Sequence, residues 1–152
     1  MKINTQTRYG LQALVFIIKK LKEKDLVNSK EISESTTIPL RYLEQILYKL
    51  KNSCIIEGYR GANGGYKLLR AANEITILDI FTSIEREEQI LKCDYKKKKC
   101  LKQDECSIRF VWVDMNEKLK ESMRQISLQD IIDKGDKFVN INSWWEGFYI
   151  RQ

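Results

Sequence analysis

Between Cys54 and Arg70 the chain reads CIIEGYRGANGGYKLLR. Two short β-prone runs, Ile55–Tyr59 and Tyr66–Leu69, flank the glycine-rich RGANGG. The Asn63-Gly64-Gly65 step offers the positive-φ positions that a hairpin tip requires. What surrounds this hairpin reads as helix.

Three segments with helical spacing precede it. TQTRYGLQALVFIIKKLKEKD starts at a Thr and repeats apolar residues at Leu11, Leu14, Val15, Ile18 and Leu21, with a polar, basic opposite face. Ser29 is the expected N-cap of a short helix, KEISEST. Pro39 suits the first turn of PLRYLEQILYKLKNS. There Leu40, Leu43, Ile46, Leu47 and Leu50 share one side, while Arg41, Tyr42, Glu44, Gln45, Tyr48 and Lys49 occupy the rest. After the hairpin, TILDIFTSIERE places Ile77, Ile80, Phe81 and Ile84 on one helical face. SIRFVWVDMNEKLKESMRQIS is expected to be the longest helix, with Ile108, Val111, Trp112, Met115, Leu119, Met123 and Ile126 recurring every three or four residues. Leu128, Ile131 and Ile132 mark a short last helix ending before Gly135. The aromatic-rich FVNINSWWEGFYIRQ gives no expectation of structure.

Helix–helix–helix–hairpin is the order of a winged helix-turn-helix, whose third helix enters the DNA major groove while the hairpin touches backbone or minor groove. The exposed residues agree. Arg, Glu and Gln in the first half of the third helix are residue types that read base edges, and the Lys and Tyr that follow suit phosphates. Arg60, at a tip where glycines permit close approach, suits a narrow minor groove. The same pattern also fits an ordinary small α+β domain, with Arg60 a solvated loop charge and Glu44 a surface ion pair. A net charge of +6 is compatible with nucleic acid without demanding it.

The longest apolar run, ALVFII, is far too short to span a bilayer, and MKINTQTRYG lacks the pattern of a secretion signal. A cytoplasmic location, no membrane, and reduced thiols are the expectation. The chain contains no histidine. With no imidazole base, no nucleotide-binding glycine motif and no nucleophile constellation, an enzyme is not expected. The glycines of RGANGG lack the Gly-Lys-Ser/Thr ending and the following helix of a phosphate-binding loop.

Three of the four cysteines, Cys93, Cys100 and Cys106, lie in CDYKKKKCLKQDEC, with six and then five residues between them. Structural zinc prefers closer pairs and a fourth Cys or His. An iron–sulfur cluster suits thiolates on a loop better, and Lys96 to Lys99 would offset its negative charge. A basic flank also lowers a thiol pKa, so thiol sensing stays open. Cys54, flanked by Ile55 and Ile56, is expected to be a buried, inert thiol.

TRYGLQAL, ISEST followed by TIPLRYLEQIL and KLK, the RGANGGYKL wing and the three cysteines together resemble the IscR-like winged-helix transcriptional regulators, the Rrf-two family, with its NsrR- and CymR-type relatives. The resemblance runs from Met1 to about Ile132. It implies a dimeric transcription factor of mainly α fold with a small β-hairpin, a winged helix-turn-helix DNA-binding domain plus a long dimerisation helix. By position it implies base contacts from Arg41 and Glu44 and a wing contact from Arg60, with Tyr42 and Gln45 beside them. Arg41 stands where a well-known member has a small hydroxyl residue. The helix carrying Ile108, Val111, Met115, Leu119 and Met123 resembles the dimerisation helix. Its stripe is too wide for a free-standing helix, and pairing with a second copy would bury it. Two heads related by a dyad would face a pseudo-palindromic site on double-stranded DNA.

The resemblance also implies an iron–sulfur cluster on Cys93, Cys100 and Cys106, of two irons or four. The family's further-ligand positions carry Arg109 and Arg8 here, and Asp94, Asp104, Glu105, water or a small thiol remain alternatives. The expected organisation is a head over 1–86, a cysteine-rich loop over 87–107, a dimerisation helix with a short packing helix over 108–135, and a tail over 136–152. Function is expected to be operator binding controlled by the cluster, sensing iron–sulfur status, oxygen or nitric oxide. The alternative is a cluster-free thiol or small-molecule sensor on the same scaffold.

Overall fold

A computed structural model describes residues 4–61, 63–86, 90–91 and 106–139, with side chains as far as Gly135. Six α-helices and one hairpin occupy the described residues: α1 Thr5–Lys20, α2 Ser29–Thr36, α3 Leu40–Asn52, β1 Ile56–Tyr59, β2 Gly65–Leu68, α4 Ile77–Glu85, α5 Arg109–Arg124 and α6 Leu128–Val139. The strands pair antiparallel with Ile56 opposite Leu68 and Tyr59 opposite Gly65. The architecture is therefore the expected three helices and a wing, followed by further helices.

The core lies where α1, α3 and α4 pack on one another. Leu14 and Ile17 of α1, Leu43, Ile46, Leu47 and Leu50 of α3, and Ile80 and Ile84 of α4 are all removed from solvent. Their spacing of three and four puts each set on one helical stripe, and burying a Leu or Ile side chain is worth roughly 1.5–3 kcal/mol. Leu40, expected on that side, begins α3 and is 40% exposed.

One helix start differs from expectation. α2 is capped by Asn28, whose side chain accepts from the Glu31 backbone N–H at 2.9 Å, so Ser29 is the first helical residue. Both residue types cap well, and the one with extended backbone geometry takes the role. α1 begins at Thr5 as expected, with Asn4 as its cap. α4 begins with a reciprocal cap: Thr76 Oγ1 accepts from Asp79 N at 3.1 Å and Asp79 Oδ2 accepts from Thr76 N at 3.0 Å. Ser127 and Asp130 repeat the arrangement ahead of α6, and the Ser127 hydrogen bonds hold the Asp130 carboxyl below its ordinary value. The two caps meet as an antiparallel bridge, with Ile77 N–H on the Ile126 carbonyl at 2.9 Å and Leu128 N–H on the Ile75 carbonyl at 2.8 Å. α6 continues through Gly135 to Val139 rather than stopping before it.

The wing is fastened to the helices by a second bridge. Val27 and Tyr66 exchange backbone hydrogen bonds of 3.0 and 2.8 Å. Gly65 makes this approach feasible, since a Cβ there would sit 2.8 Å from the Val27 backbone. The expected positive φ in Asn63-Gly64-Gly65 is not where the turn puts it. Among the described wing residues it falls on Gly61, at 113°, while Gly64 is needed because a Cβ would lie 2.4 Å from the Tyr59 carbonyl oxygen.

Candidate nucleic-acid interface and cysteine segment

Burying Leu43, Ile46, Leu47 and Leu50 turns the opposite side of α3 outward, so Arg41, Glu44, Gln45 and Tyr48 are exposed. Four of the five expected DNA-facing residues are therefore exposed: Arg41, Glu44 and Gln45 on α3, and Arg60 just beyond β1 at the wing. Tyr42 differs. It is half-buried and meets Tyr9 edge to face, with ring centroids 5.8 Å apart, so it braces α3 against α1.

Helix and wing are electrostatically adjacent. Burial foremost, then the Glu44 carboxylate, raises the Tyr66 phenol above its ordinary value. A concave surface between them is lined by Ser29, Lys51, Tyr59, Arg60 and Tyr66 together with wing glycines. On the wing face Lys67 pairs with Glu57 across the strands at 3.1 Å and lies 5.1 Å from the Tyr59 ring centre. Lys67 is thereby spoken for, whereas Arg60 and Arg41 have no ion pair among the described residues. Lys49, expected among the phosphate-suited residues, is instead turned inward. Its ammonium donates to Gln6 Oε1 at 2.6 Å and to the Ile84 carbonyl at 2.8 Å, closing the C-terminal end of α4.

Cys54 is exposed, which corrects the expectation of a buried thiol. Its φ is 55°, and the Cys54 and Ile55 N–H groups return to the Lys51 and Leu50 carbonyls, each at 3.0 Å. That is a Schellman ending to α3, in which the left-handed residue points outward and the next apolar one, Ile55, packs inward. The flanking isoleucines are buried; the thiol between helix and strand is not.

Of the three clustered cysteines, Cys93 and Cys100 fall outside the described residues. Cys106 is half-buried, forms no disulfide, and begins the turn into α5, its carbonyl accepting from Arg109 N at 3.1 Å. Among the described residues no three His, Cys, Asp or Glu side chains come together as a metal site. Asn116 was missed at the sequence level. It is 4% exposed and fully bonded, accepting from Ile90 N at 3.0 Å and Leu91 N at 2.8 Å, and donating to the Leu91 and Trp112 carbonyls. One side chain of α5 thus grips the backbone just before the cysteine segment. A polar residue four positions after Trp112, interrupting the apolar stripe, was the available signal.

Along α5 only Asn116 is buried. Ile108 is 58% exposed, Val111 38% and Met115 41%, while Leu119 and Met123 are half-buried. Phe110, Trp112 and Val113 are exposed as well.

An outward-turned third helix beside a glycine-tipped wing is the architecture of a winged-helix DNA-binding regulator. The family model described as "Iron-dependent Transcriptional regulator", Rrf2, matches residues 3–134, and the chain belongs to that family. It is 30% identical over 137 residues to the HTH-type transcriptional regulator NsrR of Bacillus licheniformis, covering 90% of this chain and 95% of that one. Among solved structures, CymR of B. subtilis, the global cysteine regulator, superposes with a TM-score of 0.70 at 27% identity, covering 88% of this chain and 98% of that one. An IscR from T. potens gives a TM-score of 0.70 at 27% identity, covering 89% and 88%. These relatives are transcriptional regulators, not enzymes. No helix among the described residues is long and apolar enough to cross a membrane.

Proposed function

We propose that this chain is a cytoplasmic, homodimeric regulator whose hold on a pseudo-palindromic operator is governed by an iron–sulfur cluster on Cys93, Cys100 and Cys106. Residues 1–86 read DNA, 87–107 carry the cluster and 108–135 join the two copies. The observation that carries the DNA-reading half is the outward face of α3. Arg41, Glu44 and Gln45 stand free of the core there, next to a wing bearing Arg60, which is the arrangement base readout requires. The apolar exposure of α5 supports the dimer.

For the cluster, the support is donor chemistry. Thiolates are the ordinary ligands of such clusters, the chain offers three within one segment, and it has no imidazole. When bound, the cluster supplies a redox- and ligand-sensitive group. What this chain's own residues do is tether it: Cys106 sits at the foot of α5, and Asn116 holds the backbone of Ile90 and Leu91 on the incoming side. A change at the cysteine segment thereby reaches the helix that sets how two heads face the DNA.

The test is the visible absorption of protein purified without oxygen, followed by DNA titration of the coloured and stripped forms at one salt concentration. Sulfide-to-iron bands lost in Cys100→Ala, with different affinities for the two forms, are expected. A colourless protein with no reconstitutable iron or sulfide overturns the cluster. The likeness to a cysteine regulator structure then favours the second reading, a cluster-free thiol or small-molecule sensor on this scaffold.

A further inference from the structure

Arg86 ends α4 in a conformation that costs an arginine free energy. Its φ is 54° and ψ 24°, left-handed geometry that is usually left to glycine or asparagine at this place, and its N–H closes the helix on the Thr82 carbonyl at 3.0 Å. A glycine would close the same turn with less strain. The side chain is exposed and has no ion pair among the described residues. The neighbouring carboxylate is committed elsewhere, for Glu85 is taken up by Asn4, the cap of α1, and by Thr7 within it.

The position of the side chain supplies a reason for the strained residue. Arg86 lines one open concave surface together with Arg41, Glu44, Gln45, Tyr48 and Lys49. It therefore flanks the outward face of α3 from the α4 side, while the wing and Arg60 flank that helix along a second concave surface. A helix seated in a major groove has a phosphate backbone along each side. Lys49, which reaches α4, is occupied with Gln6 and the Ile84 carbonyl, so Arg41 and Arg86 are the cations on this surface without an ion pair among the described residues.

We infer that Arg86 is a phosphate-contacting residue of the DNA interface, holding the backbone on the α4 side of the recognition helix. This rests on the reading of α3 as the groove-entering helix. The contact is to phosphate and carries no base information, so its loss weakens every sequence alike.

The experiment compares wild type, Arg86→Gly and Arg86→Lys on two duplexes, one of mixed sequence and one selected from a randomised pool by the wild type, each across a salt series. Arg86→Gly is expected to keep or raise the melting temperature. It should bind both duplexes roughly tenfold more weakly, with the salt slope shallower by about 0.9 per protomer. Arg86→Lys should recover most of the affinity. An Arg86→Gly protein that melts like wild type and binds both duplexes with unchanged affinity and slope overturns the assignment. So does a loss confined to the selected duplex with an unchanged slope, which would make Arg86 a partner of Glu44 instead. If the wild type itself shows no duplex preference, the failure lies with the reading of α3 and not with Arg86 alone.

Discussion

In the winged-helix head the large apolar side chains disappear from solvent; along α5 they do not. Leu14, Ile17, Leu43, Ile46, Leu47, Leu50, Ile80 and Ile84 are at zero exposure, whereas Ile108, Phe110, Val111, Trp112, Val113 and Met115 all keep more than a third of their surface. Both regions are amphipathic helices with similar spacing. The head stacks three helices around one centre, so every stripe finds another stripe. α5 meets the head chiefly at α4, and its only buried side chain is a polar one, Asn116. The head is finished within one chain, whereas the apolar side of α5 stays largely open among the described residues.

That contrast can be broken or sharpened. The largest effect is expected inside the head, where Leu47→Ala should lower unfolding free energy by about 2–5 kcal/mol in urea titrations. A loss under about 1 kcal/mol would mean that the head is loosely packed. Asn116→Ala should cost about 1–3 kcal/mol, since it leaves the Ile90 and Leu91 N–H groups without their partner. Hydrogen exchange should quicken at those two amides; unchanged exchange would show that the grip is not holding the segment. Met115→Glu should be smallest for the fold, within about 0.5 kcal/mol for the head. It should nevertheless shift sedimentation from dimer to monomer, and a dimer that survives it would place the subunit interface off this stripe.

Periodicity made the fold legible because α1, α3 and α4 each bury one stripe, and the Gly-rich tip marked the wing. The residues that escaped were those whose role depends on something distant in sequence. Lys49 looked like a phosphate ligand because nothing in YLEQILYKLKNS announces that the end of α4 would arrive beside it. Cys54 looked buried because its neighbours are, and a Schellman turn separates them. Asn28 and Ser29 are equally good caps on paper, and backbone geometry chose between them. In the candidate site the exposure of Arg41, Glu44 and Gln45 was legible because it follows directly from the buried stripe, and that of Arg60 because the glycine-rich turn marks a wing tip. Tyr42 belongs to the α1 contact, and Arg86 carried no mark, since a left-handed arginine reads like any other.

The bridge between Thr76 and Ser127 joins two backbone stretches about fifty residues apart in sequence, so both ends of the chain between them are held at one place on the head. Closing such a loop costs entropy only as the logarithm of its length. For a flexible loop of that length, one residue more or less would change the cost by only about 0.02 kcal/mol, far below thermal energy. On that count a one-residue change in the spacing between Cys93, Cys100 and Cys106 is expected to leave the stability of the head unaltered. The fold of the head and the length of the chain between its two tied ends are to that extent independent.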